Sequence, residues 1–317
     1  MDSIVTLTMN PALDITVAAD AVRPTSKIRC SRARYDAGGG GINVAKIAHV
    51  LGAPVSAVFP AGGASGDLVS QLVAEAGVPF RRIDITEPTR ESLTVDETST
   101  GLQYRFVLPG PRLTTSEQAG CVNRLEVEAA SAQFVVASGS LPPGVPTDFY
   151  QRIADVCGEA GVRFVLDTSG AGLQHVTRGV FVLKASEREL RECVGRELTT
   201  EAEQLDAAHE LVDSGRAEAV VVSLGAQGAL LATRTESCRF TAIPMRAVSG
   251  VGAGDAMVAG ITVGLTRGWP LSTAVRFGMA AGAAMLMTPG TAPCTRADTE
   301  RLFEIAEEPV EVAVVCG

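Results

Sequence analysis

Hydrophobic positions fall along the chain in two alternating patterns. Short, predominantly apolar runs occur at Ile4–Leu7, Val55–Phe59, Phe134–Ala137, Phe164–Leu166, Val180–Leu183 and Val220–Leu224. Runs that are continuous rather than alternating suit strands buried on both faces. Between them lie stretches with helical spacing: Ile42–Leu51 ending at Gly52, Leu68–Ala76 stopped by Gly77, Ser186–Val194 and Glu201–Asp213. A glycine just past the last periodic residue is a helix stop, because it takes the left-handed conformation at no steric cost. Strands alternating with helices predict an α/β fold with a doubly wound, mainly parallel sheet, whose ligands gather beyond the carboxyl ends of the strands.

Two stretches break this pattern. Residues 14–35 include the polar and basic run KIRCSRARYD, and residues 91–107 alternate around a Ser-Thr-Gly turn at 99–101. The second reads as a hairpin with one exposed face. Together they predict a small β-sheet, acting as a lid or an interface and inserted at about 14–35 and 90–107 into one domain spanning 1–317. No repeat, low-complexity segment or linker divides the chain.

Composition narrows the function classes. Hydrophobic residues make up 46% but aromatics only 4%, so the core is built of Ala, Val, Leu and Ile. A net charge of −9 argues against nucleic-acid binding, which draws its affinity from neutralising phosphates. The seven cysteines form no CxxC pair, which argues against zinc or a disulfide framework and for reduced thiols. The N-terminus lacks a basic segment before its apolar run, and Phe277–Met287 is too short and too rich in Gly and Ala to span a bilayer. The expectation is a soluble cytoplasmic protein with no membrane or nucleic-acid partner.

The glycines carry the chemistry. In DAGGGGINVAKIAHVLG, Gly38–Gly41 stand before a helix, where glycine lets a ligand approach the backbone and the helix start offers free N–H groups. Asn43 on the first turn is a candidate donor to ligand hydroxyls. A tight strand–helix connection would need only one or two of the four glycines. SGVGAGDAMVAG repeats the design: Gly252, Ala253 and Gly254 precede a helix of small residues and form an anion hole. Asp255 there is either a helix cap or a base that takes the proton of an attacking hydroxyl during phosphoryl transfer, and the motif alone weighs the two equally. Neither G-x-x-x-x-G-K-[ST] nor G-x-G-x-x-G occurs, which argues against a P-loop enzyme and a dehydrogenase.

Other candidates follow the strands. Asp14 in NPALD is a sugar-hydroxyl acceptor or a loop cap. Lys27, Arg29, Arg90 and Arg105 lie in or beside the two lid segments and, on an acidic protein, suggest recognition of an anion such as a sugar phosphate. Ser138 in SGSLPPGV is a substrate contact at a strand end. Asp167 in FVLDTSG either helps hold hydrated Mg²⁺ or caps a loop. Gly225 and Gly228 in VVVSLGAQGALL either admit a nucleotide or form a plain hairpin turn. His49, His175 and His209 are isolated and read as structural.

In this order, the motifs resemble the ribokinase/PfkB family of carbohydrate kinases over about Ile4–Leu302. GGGGINVA and GVGAGD resemble its two signatures, and TLTMNPALD, KIR, FPAGG, TRESL, QYRFVLPG and SGSLPPGV resemble its phosphofructokinase branch. The resemblance implies a ribokinase-like α/β domain with a β-sheet lid, a homodimer formed through the lid, and transfer from ATP with Mg²⁺ to the free primary hydroxyl of a ketose phosphate. Fructose 6-phosphate leads. Fructose 1-phosphate and tagatose 6-phosphate are alternatives, as is a non-catalytic sugar-phosphate or nucleotide sensor.

The resemblance also assigns roles. Asp255 matches the base and Gly252–Gly254 the anion hole. Asp14, Gly39, Gly40, Asn43, Arg90 and Ser138 match the sugar-phosphate site, with Lys27, Arg29 and Arg105 joining from the lid. Lys184, Ser186, Ser223, Gly225, Gly228 and Ser249 match the nucleotide side. Glu189, with Asp167, matches the Mg²⁺ site, and Thr288 lies near a K⁺ site. The chain departs from the family pattern in KASERE, where Ser186 and Ala185 stand for Asn and Pro. It departs again at Gly250, where Thr is common, and at Thr288 and Ala292, which stand for Asn and Arg. These changes bear on nucleotide affinity, Mg²⁺ response and K⁺ activation.

Overall fold

The computed structural model describes residues 4–246, 250–288 and 293–312. Ser249 and Ala292 fall outside them. The chain runs β1 (Ile4–Leu7), β2 (Ala12–Ala19), β3 (Arg34–Gly38), α1 (Gly40–Val50), β4 (Val55–Ala61), α2 (Gly63–Glu75) and β5 (Phe80–Asp84). The hairpin β6 (Arg90–Glu97) and β7 (Gln103–Val107) follows, then α3 (Thr115–Ala129), β8 (Phe134–Ser138), α4 (Phe149–Ala160), β9 (Arg163–Asp167), α5 (Ala171–Gln174) and β10 (Val180–Ser186). The last third holds α6 (Glu187–Val194), α7 (Glu201–Asp213), β11 (Ala217–Ser223), β12 (Ala229–Thr233), β13 (Ser237–Phe240), α8 (Ala253–Thr266), α9 (Leu271–Leu286), α10 (Arg296–Ile305) and β14 (Val310–Glu311).

The large sheet has ten strands in the order β14-β13-β12-β11-β10-β9-β8-β1-β4-β5. Every pairing from β5 across to β11 is parallel, and β12, β13 and β14 add an antiparallel edge. All the residues of β1, β4 and β8 are buried, as suits predominantly apolar strands covered on both faces. Alternate residues serve opposite faces. Ile4, Phe134 and Val136 pack with α1, α8 and α9, whereas Val5, Val135 and Ala137 pack with α3, α4 and α7.

The chain leaves β1 toward β4 and β5, then crosses back to β8 on the other side. The order of the sheet thus reverses between β1 and β8, and the crevice at their carboxyl ends is where such sheets bind ligands. The Gly- and Ala-rich segment near residue 280 is half of a close helix pair. A Cβ on Gly260 would lie 2.7 Å from the Cα of Gly278, and one on Gly278 would lie 2.5 Å from Ile261 Cγ1. The small residues therefore let α8 and α9 approach. Among the described residues, no helix is long and apolar enough to cross a membrane.

The expected small sheet is present. It has the order β3-β2-β6-β7, with β2 parallel to β6 and the outer pairs antiparallel. Its hairpin turns at 98–102, as the Ser-Thr-Gly signal predicts. Residues 20–33, in contrast, form no strand, so the polar run expected to build the sheet contributes only its last residues, Arg34, Tyr35 and Asp36.

Candidate active site

Asp255 does not cap its own helix. It is the third residue of α8, whose cap is Gly252 in the left-handed conformation (φ 78°) with no side-chain capping bond. The carboxylate instead accepts from Asn43 Nδ2 at 2.9 Å and from Ser138 Oγ at 3.2 Å. The reading of Asp255 as a helix cap is therefore wrong, because α1 and β8 bring it better donors than its own helix start. Burial pushes its pKa up to about 6, and the nearby charge of Asp167 adds to the rise. Asn43, Lys184 and Ser138 pull the other way.

A line of contacts runs on from this carboxylate. Ser138 Oγ also lies 3.3 Å from Asp167 Oδ2, and Lys184 Nζ donates to Asp167 Oδ1 at 3.2 Å. A hydroxyl carries one proton, so Ser138 serves only one of its two carboxylates at a time. Burial works against the charge of Lys184, but Asp167, Glu189 and Asp255 outweigh it and hold the pKa above the ordinary value. Lys184 Nζ is 3.0 Å from where a Cβ of Gly254 would stand. The ammonium that a P-loop carries within its glycine loop is supplied here from β10, beside the anion hole.

A cavity of about 220 Å³ opens over Asp255, between the start of α8 and the small sheet. Asp14, Gly39, Asn43, Arg90, Arg105 and Gly252 contribute to its wall. Arg90 gives Nη2 to the carbonyl of Asn10 at 3.2 Å and Nη1 to that of Leu108 at 3.4 Å, while its Nε is buried with no hydrogen-bond partner. Burial lowers its pKa and Asp14 opposes the drop. For Asp14 itself, burial raises the pKa, against Arg90, Lys46 and Arg105. A carboxylate base, uncapped helix N–H groups and two guanidinium groups thus face one space. That arrangement can bind an anionic polyol and deprotonate one of its hydroxyls.

The structure places several candidates differently from the simplest expectation. Lys27 and Arg29 lie on the exposed 20–33 segment, which forms no strand, and they are not among the residues lining the cavity of the single chain. The four glycines of the first loop do not all precede a helix: Gly38 ends β3, and Gly40 and Gly41 already belong to α1. Their missing side chains are demanded by the chain itself. Added Cβ atoms would fall 2.1 Å from Asp14 Oδ2 at Gly38, 2.6 Å from Thr8 Cγ2 at Gly39, 2.2 Å from Ser138 Oγ at Gly40 and 2.5 Å from the Leu7 carbonyl oxygen at Gly41.

The nucleotide-side candidates are mostly engaged with one another. Ser186 caps α6, accepting from the Glu189 N–H at 3.3 Å, and Glu189 Oε2 accepts from the Ser186 N–H and hydroxyl, both at 2.8 Å. Ser223 Oγ donates to the Ala185 carbonyl at 3.5 Å. Gly225 begins a 3₁₀ turn, and Gly228 (φ 100°) would put a Cβ 2.0 Å from the Phe240 carbonyl oxygen, so β11 to β12 is a hairpin that needs glycine for its own packing. Asp167, neither a loop cap nor free, is the last residue of β9 and is paired with Lys184. Thr288 Oγ1 donates to the Met285 carbonyl at 2.8 Å. Among the described residues, no three His, Cys, Asp or Glu side chains gather to hold a metal ion.

Sequence reasoning missed Lys46, and it missed Ser92 and Thr94, which line the cavity with Arg90. Their alternate spacing on β6 was a readable signal. That of Lys46, on a helix whose neighbours are apolar, was not.

The model of the pfkB family carbohydrate kinases matches residues 7–298. The chain belongs to this family. It is 68% identical to the ATP-dependent 6-phosphofructokinase isozyme 2 of Mycobacterium tuberculosis over 98% of this chain and 91% of that protein. The structure of Escherichia coli phosphofructokinase-2 in complex with potassium superposes with a TM-score of 0.92 at 37% identity, covering 96% of this chain and 99% of that one. The complex of the same enzyme with fructose-6-phosphate gives 0.90 at 36% identity, with the same coverage.

Proposed function

We propose that this pfkB-family chain is an ATP-dependent 6-phosphofructokinase, transferring the terminal phosphoryl group of ATP to the free primary hydroxyl of fructose 6-phosphate. The observation that carries the reading is the buried Asp255 carboxylate, held by Asn43 and Ser138 beneath a cavity lined by Arg90 and Arg105. The base takes the hydroxyl's proton as the oxygen attacks. The N–H groups of Gly252, Ala253 and Gly254, with Lys184 beside them, stabilise charge on the group in transfer. Asp14 and Asn43 accept and donate to the sugar hydroxyls, and Arg90 and Arg105 take its phosphate.

ATP needs a divalent ion, and kinases of this kind use Mg²⁺. Asp167 and Glu189 are already tied to Lys184 and Ser186, which fits an ion carried on the nucleotide's phosphates better than one held in a protein cage. Ser223, Gly225 and Gly228 are proposed to border the nucleotide, and Ser249 stays a nucleotide-side candidate on sequence grounds alone. A K⁺ role for Thr288 draws no support from its hydroxyl, which is bonded within its own turn. The exposed Tyr35, Leu93, Phe106 and Val107 of the small sheet support a homodimer that covers them, in a cytoplasmic enzyme.

The test is ADP release with Mg-ATP and, in parallel, fructose 6-phosphate, fructose 1-phosphate, tagatose 6-phosphate and fructose. Turnover led by fructose 6-phosphate is expected. Preference for another ketose phosphate would reassign the acceptor. Sugar-phosphate binding with no turnover on any of them would make the chain a sensor.

A further inference from the structure

Asp14 and Asp36 stand directly opposite each other in the β2–β3 ladder. Like charges so placed repel across the strands and need a cation. Arg34 reaches Asp36 from the exposed end at 2.8 Å. Arg90 and Arg105 face Asp14 from β6 and β7. A further cation comes from outside the sheet. Lys46, on α1 one turn beyond Asn43, donates its ammonium to the carbonyl of Ala37 at 3.2 Å. The next residue is Gly38, whose missing Cβ would lie 2.1 Å from Asp14 Oδ2. The backbone that Lys46 holds is therefore the backbone against which the Asp14 carboxylate lies.

Burial lowers the pKa of Lys46, and the carboxylates of Asp36, Asp14 and Asp255 oppose that in this order, with Arg34 adding to the drop. A lysine kept at such a position at a desolvation cost is explained if its charge is used. Lys46 is not part of the cavity wall.

We propose that Lys46 is a positioning residue for the sugar: it ties the end of β3 to α1 and offsets the facing carboxylates of Asp14 and Asp36, so that Asp14 is held ready for the sugar hydroxyls. The proposal rests on the sugar-phosphate reading above.

The experiment compares wild type, Lys46→Met, Lys46→Arg and the double variant Lys46→Met with Asp36→Asn. Steady-state kinetics are run in fructose 6-phosphate and in ATP. Lys46→Met is expected to raise KM for the sugar roughly tenfold and to leave KM for ATP within about twofold. Lys46→Arg restores the charge and Asp36→Asn removes the repulsion, so each recovers most of the loss. An unchanged sugar KM in Lys46→Met, equal rises for both substrates, or no recovery by either rescue would overturn it. If Lys46→Met alone does not fold, folding regained on adding Asp36→Asn supports the charge argument, and a double variant that stays unfolded refutes it. Wild-type turnover separately checks the underlying reading. Without it, calorimetric titration of the same four proteins with fructose 6-phosphate and no nucleotide still decides: the same order of affinities supports Lys46, and absence of binding to wild type overturns both.

Discussion

Two glycine-rich segments lead into helices, α1 and α8, and in the sequence they look like one device used twice. The structure separates them. At α1, each of the four glycines is required because another part of the chain occupies the space of a side chain: Asp14, Thr8, Ser138 and the Leu7 carbonyl. At α8, among the described residues, Gly250 has nothing within 4 Å of its Cβ position, and Gly252 meets only the flexible Met285 side chain at 3.0 Å but has a φ of 78° that disfavours any other residue. The first segment is a packing joint that places Asn43 and Ser138. The second is an open loop that places Asp255 and is proposed to serve as the anion hole. Glycine runs signal close approach without saying whether the approaching group is the protein or a ligand.

The sharpest test of the α8 side is Asp255→Asn. It keeps the size of the side chain and removes the base, so kcat falls by about 10²–10⁴-fold. Stability moves the other way. A carboxyl moved from 3.8 to about 6 binds its proton more tightly folded than unfolded. Its contribution is present below the unfolded value and lost as pH rises through about 6, so ionised Asp255 costs the fold on the order of 3 kcal/mol at neutral pH. Asp255→Asn therefore raises the melting temperature at neutral pH and not at about pH 3. In wild type, kcat/KM rises through an acid limb near the same value of about 6. A variant that loses activity without gaining stability at neutral pH would mean that the site is less dry than the geometry implies.

Gly40→Ala probes the α1 side. Its new methyl would meet the Ser138 Oγ at 2.2 Å, a backbone carbon at 2.7 Å and the Gly139 nitrogen at 2.9 Å. Two of these are backbone, so β8 and α1 must part, at a cost of about 1–3 kcal/mol in urea denaturation. Ser138 moves with them and its bond to Asp255 lengthens, so kcat falls too. Retained stability would show that the joint can slide, and the contrast between the two segments would be lost.

Ser186→Asn has a smaller effect. Asn caps a helix as well as Ser, so stability changes by only a few tenths of a kcal/mol. The hydroxyl bond to Glu189 is lost, and the carboxylate keeps only its bond from the backbone N–H of residue 186, so it is held less firmly. Saturation kinetics should show KM for Mg-ATP altered by roughly twofold or more, with the sugar KM unchanged. Identical ATP kinetics would mean that Ser186 is only a cap.

The large sheet was legible because strands buried on both faces leave predominantly apolar runs, and β1 matches its predicted span residue for residue. Asp255, Asn43, Arg90 and Ser138 were legible because they sit beside glycines or at strand ends. What the sequence hid were partnerships across the fold. Asp255 finds Asn43 and Ser138 over separations of 212 and 117 residues, and no local rule reports such bonds. Glu189, a Mg²⁺-site candidate by resemblance, is also half of a capping box, whose Ser-x-x-Glu spacing is present in KASERE. Charge is visible in a sequence and reach is not: Lys27 and Arg29 stand on an exposed segment away from the cavity lining of the single chain.

Gly250→Ala is the mildest change and defines how open the second segment is. Among the described residues, no atom lies within 4 Å of the added carbon. Thermal unfolding should therefore shift by no more than about 0.5 kcal/mol, and the loss of unfolded-state freedom works in favour of the variant. Because Gly250 lines the cavity, the methyl occupies space near the acceptor and should raise the sugar KM slightly while leaving kcat in place. Set against Gly40→Ala, the same chemical change would then be costly in one glycine-rich segment and nearly silent in the other. A loss of stability as large as that of Gly40→Ala would mean that the α8 segment is also a packing joint, and that the space over Asp255 is narrower than the anion-hole role requires.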